Sequence, residues 1–132
     1  MPQTVIALVE DLLFTAKLRA AAQGAEVRLQ TTTQAEDWLH LARTAAPDWL
    51  CLDLNFSRAD ALDLVTQVRA HAAGRNVPII GFLSHVQTER AQQALTAGCT
   101  AAVPRSLFVQ QLPALLRDGP AALTSTTPAA PS

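Results

Sequence analysis

The sequence predicts an α/β fold in which a doubly wound, parallel sheet of five strands is covered by helices on both faces. Short apolar runs rich in β-branched residues alternate with longer, alanine-rich segments of helical periodicity, as in repeated βαβ units. The run Trp49-Leu50-Cys51-Leu52 is apolar without interruption, which is typical of a strand buried on both faces. Right-handed crossovers then distribute the helices over the two faces of the sheet.

Each element is assigned from its pattern and its boundary residues. Strands are expected over residues 5–9, 25–29, 49–52, 77–83 and 100–103, and helices over residues 12–22, 33–45, 60–74, 87–97 and 107–117. Asp11 and Asp60 can cap the first and third helices, and Thr33 with Glu36 has the spacing of a capping box. Pro113 falls inside the last helix, where a kink or a late restart is expected.

The chain is expected to form one domain followed by a tail. Its 132 residues, 49% of them hydrophobic, suffice for a single core over residues 1–117. The segment 118–132 is rich in Gly, Pro, Ser, Thr and Ala and contains no aromatic residue, so it is expected to be a disordered tail. No output domain is expected after the last helix, and a stand-alone module of this kind would act by contact with another protein.

Composition argues against several classes of partner and location. The net charge of −1 is spread along the chain without a basic run, so direct binding of nucleic acid is not expected. The N-terminus lacks the pattern of a signal peptide, and no apolar run reaches the roughly 20 residues of a membrane span, so a cytoplasmic protein without a membrane partner is expected. Cys51 and Cys99 lack a metal-binding spacing and are expected to be core thiols.

Polar residues follow four of the predicted strands, at the edge where doubly wound sheets bind ligands. The carboxyl ends of parallel strands meet at one edge, so three carboxylates, a hydroxyl and a cation are expected to lie together. These residues are Glu10 and Asp11 after the first strand, Asp53 and Asn55 at the third, Ser84 after the fourth and Arg105 after the fifth.

Three carboxylates in one crevice repel one another, and a divalent cation would neutralise them. Mg²⁺ is the expected ion because it prefers oxygen ligands, which Glu10, Asp11, Asp53 and the backbone carbonyl of Asn55 can supply. Asp53 could then attack a phosphoryl donor and form an acyl phosphate, whose charge would be shared by the metal, the nearby hydroxyl and the cation.

These residues also have plainer interpretations. Asp11 and Ser84 could simply cap the helices that follow them. Glu10 could be a favourable charge at a helix start, and Arg105 could be a solvated surface residue. Asp53 is harder to explain in this way, because a carboxylate that ends an apolar strand loses hydration unless it is paired.

Several motifs of this chain resemble those of the receiver domains of bacterial two-component response regulators, over about residues 4–117. Glu10-Asp11 is similar to the family's metal-binding acids, and Leu52-Asp53-Leu54-Asn55 is similar to the strand end that carries the phosphorylated aspartate. Further resemblance lies in Asp60-Ala61-Leu62-Asp63-Leu64 with Arg69, in the strand 78–84 that ends in Ser84, and in the turn 94–99.

The resemblance implies the flavodoxin-like strand order 2-1-3-4-5, a phosphoryl group accepted on Asp53, and Mg²⁺ as the cofactor. It implies that Ser84 and Arg105 stabilise the phosphoryl group. The donor would be a sensor histidine kinase or a phosphotransfer protein, and the partner for output would be a downstream effector protein. Such a module is a switch rather than an enzyme. Receivers often pair through their fourth and fifth helices, and whether this chain forms a homodimer is left open.

The chain departs from the family pattern at its output side. Arg105-Ser106 replaces a Lys-Pro pair, and the planar guanidinium of arginine is bulkier than an ammonium group. Ala102 stands where the family usually has the aromatic residue that rotates on activation, so that relay cannot operate here. Ser57 and Ala61 stand where Pro and Gly are frequent, which alters the loop after the acceptor strand.

Three functions therefore compete. The first is a phosphoacceptor switch centred on Asp53. The second is a degenerate pseudo-receiver that binds partners without phosphorylation. The third, a small flavodoxin-like enzyme or nucleotide binder, is disfavoured because Glu10-Asp11-Leu12-Leu13 stands where a glycine-rich phosphate loop would follow the first strand.

Overall fold

The computed structural model of the chain describes residues 3–84 and 87–122. Strands and helices alternate along the chain throughout these ranges. The strands are β1 (Thr4–Leu8), β2 (Arg28–Thr32), β3 (Trp49–Asp53), β4 (Ile79–Leu83) and β5 (Ala101–Pro104). The helices are α1 (Leu12–Gly24), α2 (Ala35–Thr44), α3 (Ala61–Ala70), α4 (Thr88–Ala97) and α5 (Arg105–Asp118), and a 3-10 turn over Ala72–Gly74 follows α3.

The five strands form one parallel sheet in the order β2-β1-β3-β4-β5. This order confirms the predicted doubly wound, flavodoxin-like fold. The chain runs outward from β1 to β2 and then returns to β3 on the other side of β1. Ligands of such sheets bind where this reversal opens a crevice, beyond the carboxyl ends of β1 and β3.

Two apolar layers, one on each face of the sheet, form the core. All five residues of β3 are buried, as the uninterrupted apolar run predicted. On one face, the ring of Phe82 lies 4.7 Å from that of Phe14 and 5.4 Å from that of Phe108, measured between centroids. These contacts pack α1 and α5 against the sheet beside the crevice.

Both cysteines are buried free thiols, which confirms the predicted core positions. Burial raises the pKa of Cys99 to about 12 and raises the pKa of Cys51 further still. Neither thiol is therefore a reactive thiolate at neutral pH.

Two tryptophans lie in the core. Trp38 on α2 donates from Nε1 to the carbonyl oxygen of Ile6 at 3.3 Å. Trp49, the first residue of β3, donates from Nε1 to Oε1 of Gln3 at 2.9 Å. The amide nitrogen of Gln3 in turn donates to the carbonyl oxygen of Leu116 at 2.8 Å, so one side chain ties β3 to α5 at the end of the sheet opposite the crevice.

The second strand was predicted too early in the sequence. β2 covers Arg28–Thr32 rather than residues 25–29, because the chain turns after α1 through Glu26, which has φ of 58°.

Three helix boundaries also differ from the prediction. The capping box of Thr33 and Glu36 is wrong, since the N-cap of α2 is Gln34, whose N–H is bonded at 3.0 Å to the hydroxyl oxygen of Thr32. The third helix ends at Ala70 and gives way to the 3-10 turn before residue 74. The last helix begins two residues earlier than expected and continues through Pro113 without a restart.

The predicted tail is only partly within the described ranges. Asp118 is the last residue of α5, and the N–H of Gly119 donates to the carbonyl of Leu115 at 2.8 Å. Residues 123–132 lie outside the described part of the chain, so disorder of the tail stays a prediction. No helix in the described ranges is long and apolar enough to cross a membrane.

Candidate functional site

Asp53 is the last residue of β3 and only 5% exposed, and no other charged or polar side chain of the described residues is buried to this degree. The backbone N–H of Asn55 donates to its Oδ1 at 2.8 Å. Burial raises the pKa of Asp53 above its ordinary value, and the negative charges of Glu10 and Asp11 act in the same direction. The Asn55 hydrogen bond and the positive charge of Arg105 oppose this rise. Asp53, the acceptor predicted from the sequence, thus lies at the carboxyl edge among Glu10, Asp11 and Arg105. These four residues are called the ionic cluster below.

Glu10 follows β1 and reaches across to the loop after β3. Its Oε2 accepts a hydrogen bond from the Ser57 hydroxyl at 2.7 Å, and its Oε1 accepts one from the Ser57 backbone N–H. The Ser57 hydroxyl and then the N–H stabilise the charged carboxylate, so they lower the pKa of Glu10. Glu10 therefore does more than provide a charge at a helix start.

Asp11 has two roles. Its Oδ1 accepts from the backbone N–H of Leu13 at 2.9 Å and of Phe14 at 3.2 Å, which confirms it as the N-cap of α1. Its Oδ2 accepts from Nη1 of Arg105 at 3.0 Å. The Phe14 N–H and then Arg105 lower the pKa of Asp11. The helix-capping interpretation is therefore confirmed for Asp11, and its role as a metal ligand stays a prediction.

Arg105 is the first residue of α5, where a positive charge opposes the helix dipole. Its guanidinium carbon lies 4.7 Å from the ring centroid of Phe14 and 5.5 Å from that of Phe82. These aromatic faces and the Asp11 carboxylate stabilise the cation. Its Nε is buried and has no hydrogen-bond partner among the described residues. Arg105 is thus part of the ionic cluster and not a freely solvated surface residue.

The side chain of Asn55, and not only its backbone, makes contacts at this edge. Its Oδ1 accepts from the backbone N–H of Ser84 at 2.7 Å, and its Nδ2 donates to Oε1 of Gln87 at 2.9 Å. The sequence suggested only a backbone role for Asn55. Ser84 is exposed and lies beside Asn55. It does not cap α4, because the N-cap of that helix is Gln87.

Arg90, on α4, also contacts the segment that follows Asp53. Its Nε and Nη2 donate to the carbonyl oxygen of Leu54 at 3.2 and 3.0 Å. Arg90, Gln87 and Ser57 were not identified as site residues. No local pattern marks such contacts, because each joins residues more than 30 positions apart.

The three carboxylates among the four predicted metal ligands lie at one edge, but they are bonded to other protein groups and do not converge on one point. Glu10 faces Ser57, and Asp11 faces Arg105 and the start of α1. Among residues 3–84 and 87–122, no group of three His, Cys, Asp or Glu side chains is arranged to hold a metal ion. The carboxylates are nevertheless close enough for two of them to raise the pKa of the third.

Comparison with known proteins identifies the family. The sequence profile of the response regulator receiver domain matches residues 6–117. The chain therefore belongs to the response regulator receiver domain family, the receiving modules of two-component signalling. Comparison with curated proteins gave no significant match.

Solved receiver structures share the fold. A response regulator from Hahella chejuensis is similar with a TM-score of 0.78 and 21% identity, covering 86% of this chain and 92% of that one. A chemotaxis response regulator of Vibrio cholerae has a TM-score of 0.79 and 19% identity, with coverages of 89% and 98%. The receiver domain of a sensor histidine kinase from Pseudomonas aeruginosa, solved with a magnesium ion in its active-site cleft, has a TM-score of 0.77, 17% identity and coverages of 89% and 96%.

Proposed function

We propose that this receiver accepts a phosphoryl group on Asp53 and signals by protein contact. The observation that carries the proposal is the burial of this carboxylate at the end of the central strand, where the charges of Glu10, Asp11 and Arg105 all influence its pKa. Burying a carboxylate costs stability unless it is paired or hydrogen-bonded, and buried acids with a raised pKa are concentrated at functional sites.

The proposed reaction is transfer from phosphohistidine. A carboxylate oxygen of Asp53 attacks the phosphorus, the new O–P bond forms as the P–N bond of the donor histidine breaks, and the leaving imidazole nitrogen takes up a proton. The donor would be a sensor histidine kinase or a phosphotransfer protein. The product would be an acyl phosphate that a downstream effector protein recognises.

The donors at this edge match Mg²⁺ in chemistry, although the carboxylates would have to reorient to hold it. Glu10, Asp11, Asp53 and the backbone carbonyl of Asn55 would hold it, because carboxylate and carbonyl oxygens are its preferred protein ligands. When bound, the ion would neutralise the clustered carboxylates and the charge on the incoming phosphoryl oxygens. Glu10 and Asp11 would then exchange or share their present hydrogen bonds with Ser57 and Arg105.

Ser84 and Arg105 would stabilise the transferred group. Ser84 lies at the end of β4, beside Asn55, with its side chain exposed at the crevice. Arg105 has a buried Nε–H without an acceptor among the described residues, and a phosphoryl oxygen would supply one.

A second candidate is a pseudo-receiver that binds partners without phosphorylation. The observation that favours it is the Arg105–Asp11 ion pair, which neutralises part of the acidic cluster without a metal. Ala102 supports it as well, since a methyl group at this position of β5 cannot act as the family's rotating aromatic.

Phosphorylation by a small-molecule donor distinguishes the two. The protein should be incubated with acetyl phosphate and Mg²⁺ and its intact mass measured, with Asp53→Asn as the control. The phosphoacceptor function predicts a single phosphoryl adduct that requires Mg²⁺, is lost in alkali and is absent from the variant. No adduct on the wild-type protein, together with retained partner binding by Asp53→Ala, would favour the pseudo-receiver.

A further inference from the structure

We propose that Arg90 is a positioning residue that holds the acceptor segment, here defined as residues 53–55, in the conformation that presents Asp53 and the Asn55 carbonyl to the crevice. The role of that segment rests on the proposed function. The contact itself is independent of it: two nitrogen atoms of the Arg90 guanidinium donate to the carbonyl oxygen of Leu54, the residue directly after Asp53.

Three contacts hold Leu54 in place, and the guanidinium of Arg90 makes one of them. Its N–H donates to the carbonyl of Phe82 at 2.9 Å, which continues the pairing of β3 with β4. Its side chain is fully buried and packs so closely on Gly81 that a Cβ added there would lie 2.7 Å from Cδ1. Its carbonyl oxygen accepts two hydrogen bonds from the Arg90 guanidinium. The plane of the 54–55 peptide, and hence the direction of the Asn55 N–H, follows from these constraints.

The Asn55 N–H is the donor that reaches Oδ1 of Asp53. A shift of the 54–55 peptide would therefore move this hydrogen bond together with the backbone carbonyl expected to face Mg²⁺. Some residues hold metal ligands in place without contacting the metal themselves. Removing such a residue commonly lowers metal affinity by 10–100-fold.

A second contact links the same segment to the same helix. The Asn55 side chain donates to Gln87, the N-cap of α4, three positions before Arg90. Two side-chain bridges thus join the acceptor segment to the first turn of α4.

Arg69 provides a matched control, because it also binds backbone carbonyls in a part-buried setting. It donates to Gly98 at 2.8 Å, Gly74 at 2.9 Å and Val77 at 2.5 Å. None of these groups belongs to the acceptor segment. Loss of either arginine removes carbonyl contacts, but only loss of Arg90 releases Leu54.

The test compares Arg90→Met, Arg90→Lys and Arg69→Met with the wild-type chain. Amide hydrogen exchange at Asn55 is measured by NMR without metal, and Mg²⁺ affinity is measured by calorimetry. Arg90→Met is expected to accelerate Asn55 exchange and to weaken Mg²⁺ binding about tenfold. Arg90→Lys, which keeps one donor, should restore part of both. Arg69→Met should lower the unfolding midpoint and leave both values unchanged.

Wild-type behaviour of Arg90→Met in either measurement overturns the positioning role, as does an equal effect of Arg69→Met. If Arg90→Met does not fold, Arg90→Lys alone is compared with wild type, and equal exchange and affinity overturn the role. Absence of Mg²⁺ binding by the wild-type chain would count against the proposed function instead. The Asn55 exchange rates would then still decide for or against Arg90.

Discussion

Nη1 of Arg105 lies 3.0 Å from Oδ2 of Asp11, which joins the first residue of α5 to the N-cap of α1 across 94 positions of sequence. The acidic edge of this receiver therefore contains its own counter-ion. Asp11 is a predicted ligand of Mg²⁺, so a bound metal and the guanidinium would compete for one carboxylate. The two side chains are 29% and 40% exposed. An ion pair this exposed is weak, so Asp11 could give up Arg105 for another cation.

Replacing Arg105 by Met should raise Mg²⁺ affinity while slowing phosphorylation. Methionine keeps an apolar contact with Phe14 but frees Asp11 for the metal, and an exposed ion pair of this kind corresponds to roughly a two- to fivefold change in affinity. Phosphorylation by acetyl phosphate should slow, because the cation proposed to stabilise the phosphoryl oxygens is lost. Calorimetry with Mg²⁺ and the rate of adduct formation measure the two effects.

Arg117→Met is the control for the Arg105 variant. Arg117 lies on the same helix and pairs with Asp118 at 3.1 Å, far from the crevice. Its loss should change neither the Mg²⁺ affinity nor the rate. Weaker Mg²⁺ binding in Arg105→Met would contradict competition for Asp11.

Replacing Asp53 by Asn should stabilise the metal-free protein at pH 7 by about 1 kcal/mol, which corresponds to a rise in Tm of about 4 °C. Burial raises the pKa of Asp53 in the folded state. The folded protein then holds this proton more tightly than the unfolded chain, so its stability falls as the pH rises through that folded pKa. Asparagine avoids this cost and can still accept the Asn55 hydrogen bond.

The stabilisation by Asp53→Asn should depend on pH, so unfolding measurements at two pH values test it. The advantage of Asp53→Asn should shrink as the pH falls from the raised folded pKa toward the ordinary aspartate value near about 4, and it should be absent below that value, where both states of the wild type are protonated. Urea unfolding in the presence of a chelator, at pH 7 and at pH 3, measures the difference. Asp37→Asn, at an exposed position of α2, should alter stability by less than about 0.5 kcal/mol. A destabilised Asp53→Asn at pH 7 would contradict the assigned burial cost.

Replacing Ser57 by Ala should raise the pKa of Glu10 toward its ordinary value. The Ser57 hydroxyl is the strongest cause of the lowered pKa, and the alanine variant keeps only the backbone N–H. NMR titration of the glutamate carboxyl carbons measures the shift. Thr66→Ala removes a hydroxyl that donates to Leu62 on α3 and should leave Glu10 unchanged. An unaltered Glu10 titration in Ser57→Ala would refute the assigned cause.

Replacing Gly81 by Ala should destabilise the fold by about 1–3 kcal/mol, the usual cost of overpacking a core. A Cβ there would come within 2.7 to 2.9 Å of three atoms of the Leu54 side chain, which is fully buried. Gly24→Ala is the matched control, because a Cβ at the end of α1 meets nothing within 4 Å. Urea denaturation should show loss for Gly81→Ala and no loss for Gly24→Ala. Equal midpoints would show that Leu54 can move aside.

The fold could be predicted where apolar runs were long and their boundaries were marked. β3 and the capped start of α3 lie where the sequence placed them, because burial and the Asp60 cap are local signals. β2 was misplaced because it is an edge strand whose alternating pattern, Arg-Leu-Gln-Thr-Thr, contains only one strongly apolar residue. The position of Asp53 also followed from the strand pattern.

The internal contacts of the site could not be predicted in the same way. Topology alone brings Glu10, Asp11 and Asp53 to one edge, so their proximity followed from the fold. The partners chosen by each carboxylate depend on side-chain geometry between elements, as the Glu10–Ser57 and Arg90–Leu54 contacts illustrate. In the sequence, Ser57 stood out only as a departure from the family pattern, and nothing indicated its contact with Glu10.

Both indoles of this protein lie away from the crevice, and Trp49 is the informative one. It stands four residues before Asp53 on the same strand, which is about 13 Å along the chain at the rise of a β-strand. Its ring nitrogen is bound to Gln3, which in turn holds α5. Tryptophan emission should therefore change when the sheet separates from the last helix and stay nearly constant when the crevice is occupied. Fluorescence thus provides a readout of unfolding that does not depend on the state of Asp53.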